Sequence, residues 1–269
     1  MRLVSWNVAG RVRRQAEQAA RVASVRPDLV ALQEVTRATL DAWRSALATA
    51  GLEHVLTGAE LAGFPAGRRG LSVLLAAREP LEALGQPPVP WPERVVAARV
   101  LAPGTLDVCV VHSPVSQRPG LVKVQTHEAL WQYLNALPYR PWVVCGDLNT
   151  PRREHADGTL WTFARSSRGV LRPDRGTRWD AAELALLRGL GPAGFRDAFR
   201  ALHGYGEREP TWTWPNGGGY RLDHLVVSSR VDVAACDYRH DWRDEGLSDH
   251  SALLTELGAI PVERAALRG

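Results

Sequence analysis

Short apolar runs that end in polar residues set the rhythm of this chain. Leu3-Val4-Ser5-Trp6-Asn7 alternates as a half-buried strand does and closes on Asn7. Residues 11–26 place Val12, Ala16, Ala19, Ala20 and Ala23 among Arg and Gln, an amphipathic helix stopped by Pro27. Asp28-Leu-Val-Ala-Leu-Gln-Glu34 then reads as a buried strand, so one strand–helix–strand unit delivers an amide and a carboxylate at strand ends. A helix near 38–50, a short strand at 54–56, a loop at 63–70 carrying Arg68 and Arg69, and a strand at 71–76 follow. Residues 79–93 are too rich in proline for a regular element. Residues 95–101 and 106–111 pair as a hairpin around Pro103-Gly104, and the second strand runs into His112-Ser-Pro. A helix over 121–137 and the apolar run 141–145 repeat the plan of the first unit. Gly146 ends that run, and Asp147 and Asn149 share one side of the extended chain beyond it.

The remainder is less regular. Residues 152–178 hold seven arginines (152, 153, 165, 168, 172, 175 and 178) against three acids, Glu154, Asp157 and Asp174. A loop of this length is functional or disordered, and Trp161 and Phe163 within it argue against disorder. Residues 180–189 and 195–203 look helical. Thr211-Trp-Thr-Trp214 is a strand, 215–219 a tight loop, and 220–228 a strand that starts polar, with Asp223 and His224 at its beginning. Ser248-Asp249-His250-Ser251 precedes a closing strand at 252–257. With no linker in sight, residues 1–258 are expected to form one domain, and 259–269 a frayed tail.

Composition narrows the partners. No apolar run approaches the roughly 20 residues needed to cross a bilayer, so no membrane role is expected. The cysteines, Cys109, Cys145 and Cys236, are odd in number and widely spaced. Buried thiols in a reducing cytoplasm fit better than a disulfide or a zinc site. Of 33 basic residues Lys123 is the sole lysine, leaving 33 − 1 = 32 arginines. Codon bias would produce such a ratio, yet arginine binds phosphate bidentately whatever put it there. The 10 tryptophans are mostly core, with a few near arginines free to stack on bases. DNA is the favoured partner, and the protein is expected to be a monomer.

The strand-end residues are Asn7, Glu34, His112, Asp147, Asn149, Asp223, Asp249 and His250. Four carboxylates, two amides and two imidazoles at one rim exceed what a stable fold requires, because unpaired carboxylates are costly to bury. Oxygen ligands without thiolates favour Mg²⁺ or Mn²⁺. An Asp–His pair beside such a cation is the kit for hydrolysing a phosphoester.

Ser-Trp-Asn7, Leu-Gln-Glu34, Gly-Asp147-Leu-Asn149, Arg-Leu-Asp223-His and Ser-Asp249-His250, in this order, resemble the five signatures of the endonuclease/exonuclease/phosphatase family, which includes exonuclease III and DNase I. The resemblance implies an α/β fold of four layers, two packed mixed β-sheets flanked by helices, and a Mg²⁺-dependent phosphodiesterase or phosphatase. Carried over residue by residue, it implies that Glu34 binds the metal with Asn7 and Asp249 near it. Asp147 orients or activates the attacking water, and Asn149 holds the nucleophile or a phosphate oxygen. Asp223 orients His250, which polarises the phosphate or acts as base. His112 contacts the phosphate from the other side; apart from the resemblance, chain order alone suggests Glu60 as the partner that keeps it protonated. Arg69, Trp161, Arg165, Arg168, Trp212 and Arg221 are the expected substrate contacts. Asp197-Ala-Phe199-Arg200, then Trp212 and Trp214, then Gly219-Tyr-Arg-Leu-Asp223, resemble the exonuclease III branch. Val35 after Glu34 and His112 before Ser-Pro depart from it and leave abasic-site specificity open. The expected activity is a DNA nuclease. The alternatives are a phosphatase or phosphodiesterase on a small or lipid phosphate, and a catalytically inactive DNA-binding module of the same fold.

Overall fold

The structure is a computed structural model that describes residues 1–65, 70–102, 104–117, 120–136, 140–190 and 194–260. Two mixed sheets of six strands face each other. The first contains β1 (Arg2–Asn7), β2 (Leu29–Thr36), β3 (His54–Thr57), β4 (Leu71–Ala77), β15 (Val233–Arg239) and β16 (Ala252–Leu257), in the order β15-β16-β1-β2-β4-β3. The second contains β5 (Leu81–Ala83), β6 (Val95–Val100), β7 (Leu106–His112), β8 (Trp142–Asp147), β11 (Phe195–Asp197) and β14 (Asp223–Ser228), in the order β11-β14-β8-β7-β6-β5. Two small ribbons, β9 (Arg153–Glu154) with β10 (Leu160–Trp161) and β12 (Trp212–Thr213) with β13 (Gly219–Tyr220), lie outside the sheets. The helices are α1 (Gln15–Ser24), α2 (Leu40–Thr49), α3 (Gly58–Ala62), α4 (Val122–Asn135), α5 (Gly176–Leu187), α6 (Ala198–His203) and α7 (His240–Asp244). No helix among the described residues is long and apolar enough to cross a membrane.

Each sheet is built on one parallel strand–helix–strand unit, β1-α1-β2 and β7-α4-β8, the echo visible in the sequence. Alternation along these strands sorts their side chains into layers. Leu3, Leu29 and Ala31 meet Val108, Val110, Val143, Cys145, Leu225 and Val227 between the sheets. Val4, Trp6, Val30 and Leu32 pack outward under α1 and α2, and Cys109, Val111, Trp142 and Val144 do so with Leu130 and Leu134 of α4. Period two then dictates that Asn7, His112, Asp147 and Asp223, in phase with the inner set, point into the space between the sheets.

The structure revises several sequence expectations. The proline-rich stretch 79–93 contains the edge strand β5 and a short 3-10 turn, Pro92–Arg94, where missing amide donors cost little. α5 starts at Gly176, before the expected 180, and 195–203 divides into β11 and α6 at Asp197, which caps α6 by accepting from the Arg200 amide. β15 and α7 were not expected; β15 is an edge strand whose exposed positions include Asp237. Ile260, in the stretch expected to fray, packs on the inter-sheet core.

Candidate active site

Register assembles the rim. His112 of β7 lies beside Asp147 of β8, and Asp147 lies beside Asp223 of β14. The close approach of β7 and β8 requires glycine at 146, because a Cβ there would sit 2.0 Å from the Val111 carbonyl oxygen. Glu34 arrives differently. Its phase along β2 points it toward the helices, but the register shifts between Leu32 and Val35, and Glu34 adopts φ 60. Such an irregularity re-aims a side chain, here into the cleft that Glu34 lines.

The polar groups interlock. Asn7 Nδ2 donates to Asp147 Oδ2 at 3.0 Å and to Glu34 Oε1 at 3.3 Å, while its Oδ1 accepts from the Ala9 amide. The Asn149 amide donates to Asp147 Oδ1 at 2.8 Å, and its Nδ2 donates to the Ser113 carbonyl at 2.8 Å and to Asp147 Oδ2 at 3.2 Å. Asp223 Oδ2 accepts from His250 Nδ1 at 2.8 Å and from Thr211 Oγ1 at 2.5 Å. His250 Nε2 then faces Asp147 Oδ2 at 3.9 Å, and His112 Nε2 lies 3.9 Å from the same oxygen. Two imidazoles thus flank one buried carboxylate.

Their protonation differs. Burial alone favours neutral His250, but the charge and hydrogen bond of Asp223, aided by Asp147 and Asp249, outweigh it and raise the pKa to about 10. Burial pushes Asp147 up to about 7, with His250 opposing and Asp223 adding to the rise. His112 moves well below the usual imidazole range, through burial first and then Arg94 and His250. Arg94 Nη1 lies 3.4 Å from His112 Nδ1 and can only donate, so Nδ1 accepts and Nε2 carries the hydrogen. His112 is therefore neutral where a protonated ring was expected, and of the two roles expected of His250, polarising the phosphate fits its raised pKa and acting as base does not. Glu60 is not the partner of His112 either: it completes a capping box with Thr57 and pairs with Arg44. The carboxylate beside His112 is Glu34, at 3.5 Å.

Above the rim lies a cleft of about 360 Å³, lined on one side by Glu34, Asp147, Asn149, Asp249 and His250. Phe163, Trp212, Trp214 and Tyr220 form an aromatic wall, with Trp212 bridged to His250. Trp212 stacks on Tyr220 at 6.0 Å, Trp214 meets Tyr220 edge-on at 4.7 Å, and Phe163 meets it at 5.0 Å. Trp212 Nε1 donates to Asp249 Oδ2, tying the wall to the acidic side. Of these rings only Trp212 was expected in the site. Trp214 shares its phase two residues on, a signal that pointed to it. Phe163 and Tyr220 come from separate segments with no such signal.

The expected substrate contacts divide. Arg221 is buried and bound to Glu154 and Asp197, which leaves its guanidinium no route to the cleft. Arg165 grips Asp180 at 2.5 Å and the Gly169 carbonyl at 3.0 Å, closing its own loop. Trp161 packs edge-on against His155 at 4.4 Å, over Gly169, and does not line the cleft. Arg168 is exposed, and Arg69 lies outside the described residues.

The donor set fits a hard divalent cation. Ligand atoms of Asp147, Asp223 and His250 lie within 4.8 Å of one another, and Asp223 Oδ1 is buried without a hydrogen-bond partner. His250 Nδ1 is already committed to Asp223, however. The oxygens of Glu34 and Asp147, bridged by the Asn7 amide, with Asp249 on the cleft wall, are the better candidates, because a cation there would offset their mutual repulsion. No thiolate is near: the three cysteines are buried and free.

Solved structures share this architecture. An AP endonuclease from Archaeoglobus fulgidus superposes with TM-score 0.71 at 20% identity, covering 96% of this chain and 100% of that one. Humanized D. rerio TDP2 gives 0.69 at 18% identity, with 96% and 99% covered. The Neisseria 3′ phosphatase NExo, bound to a product DNA hairpin, gives 0.68 at 20% identity, with 96% and 100% covered. At these identities the likeness establishes the fold. No curated protein sequence matches the chain significantly. The family model for the Endonuclease/Exonuclease/phosphatase family matches residues 4–250, from the first strand to His250. With two faced sheets, and with that match running over nearly the whole chain, the protein belongs to the endonuclease/exonuclease/phosphatase family, whose members are phosphoester hydrolases.

Proposed function

We propose that this protein is a Mg²⁺- or Mn²⁺-dependent phosphoester hydrolase acting on nucleic acid, with DNA favoured, of the exonuclease III type. The observation that carries this reading is that Asp147 and His250 line an aromatic-walled cleft, with Asp223 bonded to His250 and His112 set on the other side of Asp147 behind them. Glu34, with Asn7, Asp147 and Asp249 near it, would hold a divalent cation, which would supply charge neutralisation at the phosphate when bound. Asp147, poised near neutrality, takes the proton of the attacking water. Asn149, fixed to Asp147 and Ser113, orients that water or a phosphate oxygen. His250, held protonated by Asp223, donates from Nε2 to a phosphate oxygen as charge develops. Neutral His112 donates from Nε2 on the other flank. The aromatic wall suits one sugar or base stacked beside the phosphate, and the cleft is at the small end of ligand sites.

That small cleft also favours a second reading, a terminal phosphate monoester at a nucleic-acid end. The decisive experiment is a Mg²⁺-dependent digestion panel of nicked, blunt, abasic, 3′-phosphorylated and single-stranded DNA beside a phosphoinositide. Cleavage of an internal or terminal diester is expected. Release of phosphate alone would favour the monoester reading, and turnover of the phosphoinositide alone would overturn nucleic acid as substrate.

A further inference from the structure

Behind the candidate site lies a buried ion pair that the chemistry above does not use. Lys123, the chain's only lysine, is on α4 with 1% of its surface exposed. Its ammonium donates to the Asn149 carbonyl at 2.6 Å, to Ser116 Oγ at 2.8 Å and to Glu183 Oε1 at 2.8 Å. Three donors meet three acceptors. An arginine fork would leave further N–H groups without partners there, whereas a compact ammonium does not. Glu183, on α5, accepts from Trp179 Nε1 at 2.6 Å, Thr150 Oγ1 at 2.7 Å and the Phe163 amide at 2.8 Å. The ammonium also lies 5.1 Å from the Phe163 ring centroid.

These bonds converge on the two sides of the cleft. Asn149 adopts φ 52, a left-handed conformation that asparagine tolerates better than other residues with side chains and that its surroundings here hold in place. Lys123 holds the Asn149 carbonyl, Glu183 holds the next side chain, and His224 Nε2 holds the Thr150 carbonyl at 2.7 Å. The same Glu183 fixes the backbone of Phe163 in the aromatic wall. Stability alone does not call for the pair, since apolar residues of like volume often match a buried ion pair.

We propose that Lys123 and Glu183 are positioning residues: together they fix the backbone at Asn149 and Thr150 beside Asp147, and so act on turnover more than on substrate affinity. The kinetic part rests on the function proposed above.

The test uses the full chain with Lys123→Met/Glu183→Gln, which removes both charges and leaves neither ion unpaired. Hydrogen exchange at the amides of residues 147–150 is expected to quicken at least ~10-fold while far strands keep their protection. With Mg²⁺ and a labelled DNA duplex, kcat is expected to fall ~10–100-fold, with KM within about twofold. Should the double variant fail to fold by circular dichroism, Thr150→Val cuts the link from Glu183 to the loop and is expected to move both readouts the same way by a smaller factor. Wild-type exchange at 147–150, or wild-type kcat with a lowered Tm alone, overturns the proposal. If wild-type protein cleaves no nucleic acid, the functional reading fails by itself, and the exchange measurement still decides the positioning claim.

Discussion

The strand-end rim and the arginine-rich stretch at 152–178 are both dense in charge, yet they use it oppositely. In the stretch, guanidiniums find acids of the same chain: Arg165 with Asp180, Arg172 with Asp174, and Arg178 with Glu128. Arg175 lies over the Trp179 ring. Those charges are spent on closing the loop and docking it to α4 and α5. At the rim, Asn7 and Asn149 bond to Asp147, His112 and His250 each stand 3.9 Å from it, and the carboxylates of Glu34, Asp147 and Asp249 line one cleft, so like charges are held near one another instead of each being cancelled by a guanidinium. Charge count does not distinguish the two regions; the partner of each charge does. Fields held unbalanced by the fold can act on a substrate, and balanced ones cannot.

The largest expected effect comes from removing the imbalance. Chelation by EDTA should abolish hydrolysis, and Mg²⁺ or Mn²⁺ should restore it. Asp147→Asn keeps the shape and removes the base, so single-turnover cleavage should slow by ~10²–10⁴-fold. DNA binding, read by fluorescence anisotropy, should change by less than about threefold. Equal losses in both would make Asp147 a substrate contact rather than the base. Glu34→Gln should raise the half-saturating Mg²⁺ by about 10–100-fold while saturated turnover suffers less, measured by metal titration of the rate.

The pH profile sharpens the same contrast. Asp147 must be ionised to accept a proton; burial raises its pKa to about 7, and a cation against its oxygens favours the ionised form, so kcat/KM should climb with pH along a limb at or below about 7 that moves down as Mg²⁺ is raised. His250 must be protonated to donate, and its pKa is raised to about 10, so the alkaline limb should fall there. Asp223→Asn removes the charge that sustains the imidazolium and should shift that limb to lower pH. An unmoved limb rules out His250 as the donor. His112, kept neutral by burial and by Arg94, should govern neither limb, and His112→Ala should lower the plateau alone.

Much of this was legible in the sequence because it follows from period two. Asn7, His112, Asp147 and Asp223 end strands in phase with inner-facing Leu3, Val110, Cys145 and Leu225, and alternation alone aims them between the sheets. Glu34 was legible as a strand-end carboxylate but its aim was not, since its own phase points outward and the irregularity after Leu32 re-aims it. Protonation was not legible, because it depends on distances between segments far apart in the chain, such as Asp223 to His250. Nor were the pairings of Arg165 and Arg221: Asp180 lies 15 residues beyond Arg165, and Glu154 lies 67 residues before Arg221. A sequence displays the cations of a loop without the acids that will claim them.

Arg165 and Arg168 put that lesson in one loop, three residues apart, and the expected effects are the smallest. Arg165 is half-buried and gives Asp180 two nitrogens, so Arg165→Ala should cost about 1–3 kcal/mol in denaturant unfolding, the usual worth of hydrogen bonds to a charged partner. It should leave the salt dependence of DNA binding unchanged, because its charge is already neutralised. Arg168 is exposed, and its backbone amide, bound to Ser166 Oγ, holds the turn without the side chain. Arg168→Ala should therefore leave stability within about 0.5 kcal/mol. If the loop touches a phosphate through this residue, the slope of log affinity against log salt should flatten by about one unit. The double comparison separates the roles within one experiment. A flattened slope in Arg165→Ala would mean that Asp180 releases its guanidinium to the substrate, and the loop would then belong with the rim rather than with the scaffold.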